Sequence, residues 1–325
     1  MRPYSNHQAK LFATQLTLRQ PANSIDKLSH AIASARVDLN PHQVDAALFA
    51  VRSPLSKGVI LADEVGLGKT IEAGIVISQK WAERKRKLLI IAPATLRKQW
   101  QQELMDKFSI PSTILENGSY KQLKKEGKLA SGNTLLICSY NYEVNKADVL
   151  EDIDWDLVVI DEAHRLRNVY KTGNKMAAAI AEVVADVPKL LLTATPLQNS
   201  LLELYGLVSI IDPHVFGDIT SFKEQYVRGV NEALRNSRLK ERIKPFCQRT
   251  LRKQVLEYIK FTQRVAMTEE FVPSDDEHRL YEQVSAYLQR EKLNALPQSQ
   301  RTLMTLVLRK LLASSSYAIA STLEK

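Results

Sequence analysis

Lys69 and Thr70 close the run Val59-Ile60-Leu61-Ala62-Asp63-Glu64-Val65-Gly66-Leu67-Gly68-Lys69-Thr70. An apolar stretch with the character of a buried strand ends, a turn with two glycines follows, and an apolar helix begins. Such glycines let backbone N–H groups turn inward onto phosphate oxygens, and a helix N-terminus adds partial positive charge. In that cradle Gly66, Leu67 and Gly68 supply backbone, Lys69 reaches the β- and γ-phosphates, and the Thr70 hydroxyl ligates Mg²⁺. One position departs from the general pattern. Asp63 stands where a glycine is usual, five residues before Gly68, so the turn must differ from the common form.

A second run, Leu157-Val158-Val159-Ile160-Asp161-Glu162-Ala163-His164, places two acids at the end of an apolar strand, 92 positions after Lys69. Asp161 is placed to hold Mg²⁺, directly or through water, and Glu162 to orient and deprotonate an attacking water. Acids in the first turn of a helix are also favoured by its dipole, but the strand–helix setting favours the chemical role. A third run, Leu191 to Asn199, carries the hydroxyls of Thr193 and Thr195 at another strand end, where they could sense a bound phosphate.

These residues need a scaffold that brings several strand ends together. Strands are expected at Gly58–Ala62, Leu88–Ala92, Ser112–Leu115, Thr134–Ser139, Leu157–Asp161 and Lys189–Thr193. Most show little alternation, as strands covered on both faces do. Helical stretches such as Thr70–Arg84 and Leu96–Phe108 lie between them. The pattern predicts an α/β fold, a doubly wound parallel sheet whose strand C-terminal ends share one edge. The expected organisation is an N-terminal arm at 1–36, the nucleotide-binding lobe at 37–220, a basic helical protrusion at 221–260, and a linker with helices at 261–325. The third of these carries eleven Lys/Arg against four Asp/Glu, which suits a polyanion or a solvated helical surface. In the last, a strand-like piece Arg264–Val272 precedes helices at Asp275–Lys292 and from about Gln300 onward. The final helix has Leu303, Val307 and Leu311 on one stripe, which wants a partner or packs on its own domain.

Composition narrows the class. The 325 residues are 45% hydrophobic and 25% charged with a net charge of +9, and Gly (11) and Pro (12) are sparse. That is ordinary globular composition and excludes collagen-like or low-complexity chains. No stretch nears the ~20 apolar residues of a membrane helix, so no membrane partner is expected. Met1–Lys10 is polar and shows no secretory signal. Cys138 and Cys247 form neither a disulfide framework nor a zinc-spaced cluster, which fits a cytoplasmic protein.

Together the segments Leu61–Gly74, Ile91–Trp100, Leu136–Tyr140, Asp161–Asn168 and Leu191–Pro213 resemble the helicase motifs of superfamily two. They are most similar to the Swi/Snf-type ATPases, in particular the bacterial branch containing the RNA-polymerase-recycling enzyme. The resemblance covers about residues 37 to 290. It implies a RecA-like P-loop NTPase lobe with a helical extension, ATP and Mg²⁺ as cofactors, and movement along double-stranded DNA. It further implies that Gln43 reads the adenine and that His164, Thr193 and Thr195 couple nucleotide state to DNA. By the same resemblance Thr95, Ser139 and Asn199 contact the DNA backbone, work that suits small hydroxyls and amides. Arg249, Arg252 and Lys253 resemble the protrusion's exit, although the family's Arg-Arg-x-Lys order is not reproduced.

Motors of this kind need a second RecA-like lobe with an arginine finger, and no Gln/Gly/Arg-rich motif follows Thr195. The resemblance therefore reads the chain as the N-terminal half of a motor, a fragment or one half of a split enzyme, weak in turnover alone. Three functions follow: a double-stranded-DNA translocase, a strand-separating helicase, or a nucleotide-responsive DNA-binding module without hydrolysis. The target stays open between RNA polymerase, defence-system proteins and other DNA-bound proteins.

Overall fold

The computed structural model describes residues 5, 10, 28, 35–52, 57–129, 131, 134–145, 147–196, 200–228, 232–259, 272–288, 290 and 301–314. Most of the expected arm at 1–36, Asn199, and all of the expected strand at 264–272 except Val272 lie outside them. The chain divides into two compact units, Met1–Lys260 and Phe261–Lys325.

The first unit is built on one seven-stranded parallel sheet. In chain order its strands are β1 (Gly58–Leu61), β2 (Leu88–Ala92), β3 (Ser112–Ile114), β4 (Leu135–Ser139), β5 (Leu157–Ile160), β6 (Lys189–Leu192) and β7 (Cys247–Gln248). In space the order is β3-β4-β2-β5-β6-β1-β7. Six of these strands match the expected ones to within one residue at either end. They fold so because their Ile, Leu and Val side chains are buried on both faces: every residue of β1, β2, β5 and β6 is buried. β3, at the edge, is only half-buried.

Helices cover both faces and make two apolar layers. One layer packs Ile60, Leu89, Leu136, Val158 and Leu191 against α7 (Lys175–Val183) and α8 (Leu201–Ile211). The other packs Leu61, Ile90, Ile137 and Val159 against α1 (Pro41–Arg52), α2 (Lys69–Ala82) and α3 (Arg97–Phe108). Shorter helices complete the crossovers: α4 (Asn117–Lys125), α5 (Tyr140–Asn145) and α6 (Ala147–Glu151). Beyond α8 come α9 (Ile219–Phe222), a π-turn at Lys223–Val227 and the basic α10 (Glu232–Ile243). The chain then returns to the sheet as β7, an element the sequence did not announce.

The second unit contains α11 (Asp275–Leu288) and α12 (Arg301–Ser314), near their expected positions. Val284, Leu288 and Leu308 form its small buried cluster, with Leu311 packed against it, while Leu306 and Val307 are exposed. Among the described residues no helix is long and apolar enough to cross a membrane.

Candidate functional site

The sheet order sets the site. Reading across β4, β2, β5, β6 and β1, the C-terminal ends deliver Ser139, Thr95, Asp161 with Glu162, Thr193 with Thr195, and the glycine turn, in that order. Residues far apart in sequence therefore share one edge, with Ala92 level with Ser139 and Leu61 with Leu192.

The turn after β1 is held from below and from the side. Gly66 (φ 85°) and Gly68 (φ 92°) take the left-handed conformation that glycine enters without cost. α2 starts at Lys69, so its free N–H groups face the turn. Lys69 Nζ donates to the carbonyls of Asp63 at 2.8 Å and Glu64 at 3.4 Å. Asp63, at the usual glycine position, is fully buried, and its Oδ1 accepts from the Thr250 amide at 2.6 Å. The adjacent Glu64 carboxylate accepts from the Arg252 amide at 2.6 Å, and the Arg252 guanidinium donates to Val65 O at 2.7 Å and 3.1 Å. The segment after β7 thus straps the turn, and nothing in the composition of that segment signalled this.

Gln43 is buried beneath the same turn. Its Oε1 accepts from the Asn40 amide at 3.0 Å and its Nε2 donates to Leu67 O at 3.0 Å. His42 joins it: Nε2 donates to Leu67 O at 2.9 Å, which leaves Nδ1 as the acceptor for the Tyr258 hydroxyl at 3.3 Å. Tyr258 also stacks on the imidazole at 5.9 Å and is 43% exposed. His42, Asp63 and Glu72 bring ligand atoms within 4.8 Å of one another. Both imidazole nitrogens are already engaged, so the trio offers an ion no nitrogen.

Across the edge, Asp161 is the most constrained carboxylate. Its Oδ1 accepts from the Glu162 amide at 2.8 Å, its Oδ2 from the Trp100 indole at 2.8 Å, and its backbone carbonyl from the Tyr140 hydroxyl at 2.5 Å. Burial raises its pKa above the ordinary value, while the Trp100 bond works against that shift. Glu162 takes a left-handed φ of 53°, a conformation costing a non-glycine residue about 1–2 kcal/mol, as it starts the 3₁₀ turn Ala163–Leu166. Its Oε2 lies 3.1 Å from His164 Nδ1, without hydrogen-bond alignment. Thr193 is buried and its Oγ1 accepts from the Thr195 amide at 3.2 Å; Thr195 is exposed. Thr95 is exposed in the turn closed by Leu96 N to Pro93 O, and Ser139 Oγ accepts from the Tyr142 amide at 3.3 Å.

These groups fit a metal-bound triphosphate. Two left-handed glycines and a helix N-terminus form an anion cradle with a lysine in it. Thr70 and Asp161 offer hard oxygen donors of the kind Mg²⁺ takes, and each Asp161 oxygen keeps a lone pair beyond its one bond. A buried tryptophan is ordinarily a packing anchor; Trp100 is buried, and it also grips Asp161.

Comparison with known proteins bears on the same chain. In Bacillus subtilis (strain 168), the uncharacterized ATP-dependent helicase YqhH is 33% identical over 289 residues, covering 88% of this chain and 48% of that protein. The RNA polymerase-associated protein RapA of Serratia proteamaculans (strain 568) is 35% identical over 254 residues, covering 71% of this chain and 26% of its own length. The chain therefore spans half or less of these curated relatives. Among solved structures, the Sulfolobus solfataricus SWI2/SNF2 ATPase core in complex with dsDNA superposes with a TM-score of 0.59 at 20% identity. That match covers 86% of this chain and 59% of the other, and it supports the RecA-like fold. The SNF2-related domain model matches residues 15–316, nearly the whole sequence, and the chain belongs to that family.

Proposed function

We propose that the chain is the first RecA-like lobe of a double-stranded-DNA translocase, which uses ATP hydrolysis to move on duplex and displace or remodel bound protein. The single observation that carries this is the glycine turn with Lys69 and the Asp161–Glu162 pair on one sheet edge, with Thr95 and Ser139 on the neighbouring strand ends. In this reading the backbone N–H groups of Gly66 to Thr70 bind phosphate oxygens and Lys69 leaves the Asp63 and Glu64 carbonyls for the β- and γ-phosphates. The Thr70 hydroxyl and Asp161 carboxylate hold Mg²⁺, and Glu162 accepts the proton of the attacking water. Bound Mg²⁺ and ATP supply the charge neutralisation and the leaving group. His164 follows β5, and Thr193 and Thr195 follow the end of β6 beside the glycine turn; in this reading they couple nucleotide state to the duplex. A second RecA-like lobe supplies an arginine to the γ-phosphate, a contribution worth 10³–10⁵ in rate in related phosphoryl transfer. Support for duplex DNA comes from the structural neighbour solved on dsDNA, and support for RNA polymerase as a target from the relatives named for that association.

The test is ATP binding by this chain and DNA-stimulated hydrolysis once a second lobe is present. Lys69→Ala should abolish binding; Glu162→Gln should keep binding and abolish turnover. Full DNA-dependent hydrolysis in either variant refutes the site. Displacement of a triplex strand without unwinding of a tailed duplex separates translocation from strand separation. Mg-ATP binding with no hydrolysis even beside a second lobe would make the chain a nucleotide-responsive module.

A further inference from the structure

Two of the three tryptophans are buried, and they satisfy their indole N–H groups differently. Trp155 donates to Leu150 O at 2.8 Å, an acceptor five residues away. A buried indole needs some acceptor, and a nearby carbonyl is the ordinary solution. Trp100 instead reaches 61 positions along the chain to a carboxylate oxygen of Asp161, at 2.8 Å. Hydrogen bonds to ionised groups are the strong ones, so this bond is more than a way of filling a donor.

Its geometry has a consequence for Asp161. One carboxylate oxygen is held by the Glu162 amide on the same strand end, the other by an indole anchored in α3. A separate bond to each oxygen fixes the plane of the carboxylate. The indole itself cannot turn away: Trp100 is 1% exposed and belongs to the apolar layer with Leu104, Phe108 and Ala92. The Tyr140 hydroxyl pins the peptide unit that joins Asp161 to Glu162, and the Arg165 guanidinium lies 5.5 Å over the Tyr140 ring. The α3 helix that carries Trp100 starts just after the Thr95 turn, and Tyr140 follows Ser139, so both supports leave the sheet beside the expected duplex contacts.

We propose that Trp100 is a positioning residue for the hydrolytic centre: its indole N–H aims the Asp161 carboxylate so that the remaining lone pairs face the metal. This rests on the reading of Asp161 as the metal-holding carboxylate. Groups that orient a metal ligand from behind typically govern 10- to 100-fold of metal affinity.

The test uses the chain with ¹⁵N-labelled indoles, Trp81→Phe and Trp155→Phe assigning their own signals and leaving the Trp100 signal by elimination. Asp161→Asn should move that signal upfield, because a neutral amide oxygen accepts more weakly than a carboxylate, and should leave the Trp155 signal in place. An unmoved Trp100 signal overturns the proposal without any need for the Trp100 variant to fold. Binding of a fluorescent ATP analogue at graded Mg²⁺ then reads function. Trp100→Phe should raise the Mg²⁺ concentration for half-maximal enhancement about tenfold while leaving metal-free nucleotide affinity unchanged. A purely structural role would lower both affinities together, which counts against positioning. Mg²⁺ dependence lost in Asp161→Asn but intact in Trp100→Phe overturns the proposal alone. Mg²⁺ dependence unaffected by Asp161→Asn overturns the reading of Asp161 and the proposal with it.

Discussion

The carboxyl group of Glu72 faces that of Asp63 beneath the glycine turn, with an oxygen of each within 4.8 Å of the other and both residues without exposed surface. Burial above all, with the Asp63 charge second, pushes the Glu72 pKa up to about 9. Glu72 therefore carries its proton at neutral pH. Asp63 Oδ2 has no hydrogen-bond partner among the described residues, its other oxygen takes the Thr250 amide, and a small rotation of the Glu72 carboxyl would let it donate to Oδ2. The aspartate that breaks the common glycine pattern is thus the joint between α2, the loop and the segment after β7.

Glutamine at position 72 could make the same donation to Asp63 Oδ2, whereas alanine removes the possibility. Glu72→Gln should unfold within a few tenths of a kcal/mol of the parent, and Glu72→Ala should lose about 1–3 kcal/mol for the orphaned acceptor, plus a cavity contribution. Asp63→Ala should cost a similar amount by freeing the Thr250 N–H. Denaturant unfolding checks the set; equal losses for Gln and Ala at position 72 would rule out the shared proton.

At Gly68 the backbone is left-handed, and a Cβ would fall 2.4 Å from Gln43 Nε2. That amide cannot yield freely, because it is spanned between Leu67 O and the Asn40 amide. Gly68→Ala should cost about 1–2 kcal/mol in backbone strain and weaken ATP binding more than tenfold. Gly118→Ala, where nothing lies within 4 Å, is the control and should bind ATP as the parent does. Calorimetric titration of both variants decides it.

What was legible in the sequence followed from local rules. Strands with unbroken Ile, Leu and Val declare their own burial, which is why six were placed closely. The start of α1 was not drawn from the sequence, although Asn40, Pro41 and Gln43 reaching back to the Asn40 amide at 3.0 Å form a helix-start pattern. β7 was not legible, because a strand of two half-buried residues, Cys247 and Gln248, owes its existence to the β1 edge rather than to its own composition. Trp100 shows the same limit at the site. Its type predicts burial, but which acceptor its N–H finds depends on the β2–β5 pairing that brings Asp161 within reach. The resemblance assigned Gln43 to the adenine; in the structure its side-chain amide spans the Leu67 carbonyl and the Asn40 amide.

Arg252 offers a way to loosen the loop without touching its glycines. Its side chain holds Val65 O, while its amide independently holds the Glu64 carboxylate. Arg252→Ala should keep the second bond and lose the first. Hydrogen exchange at residues 63–68 should then speed up and ATP affinity fall about three- to tenfold, with the fold retained. Arg252→Lys should rescue only partly, since an ammonium cannot reproduce the two-pronged contact. Unchanged exchange in Arg252→Ala would show that the backbone bonds alone hold the loop.

Glu143 gives the unit a pH dependence remote from the phosphates. It lies on α5 with no exposed surface, and neither carboxylate oxygen has a partner among the described residues. Burial pushes its pKa from 4.5 up to about 7. The folded chain therefore keeps a proton that the unfolded chain releases between pH 4.5 and about 7, so stability is highest below that window and falls as pH rises through it. The penalty at higher pH is about 3 kcal/mol. Glu143→Gln removes the ionisation and should flatten this limb, so that the variant gains on the parent at pH 8 and matches it near pH 4. Denaturant unfolding at both values tests the sign. A parent whose stability rises from pH 4.5 to 7 more steeply than the Gln variant's would mean that Glu143 is ionised and partnered in the folded chain.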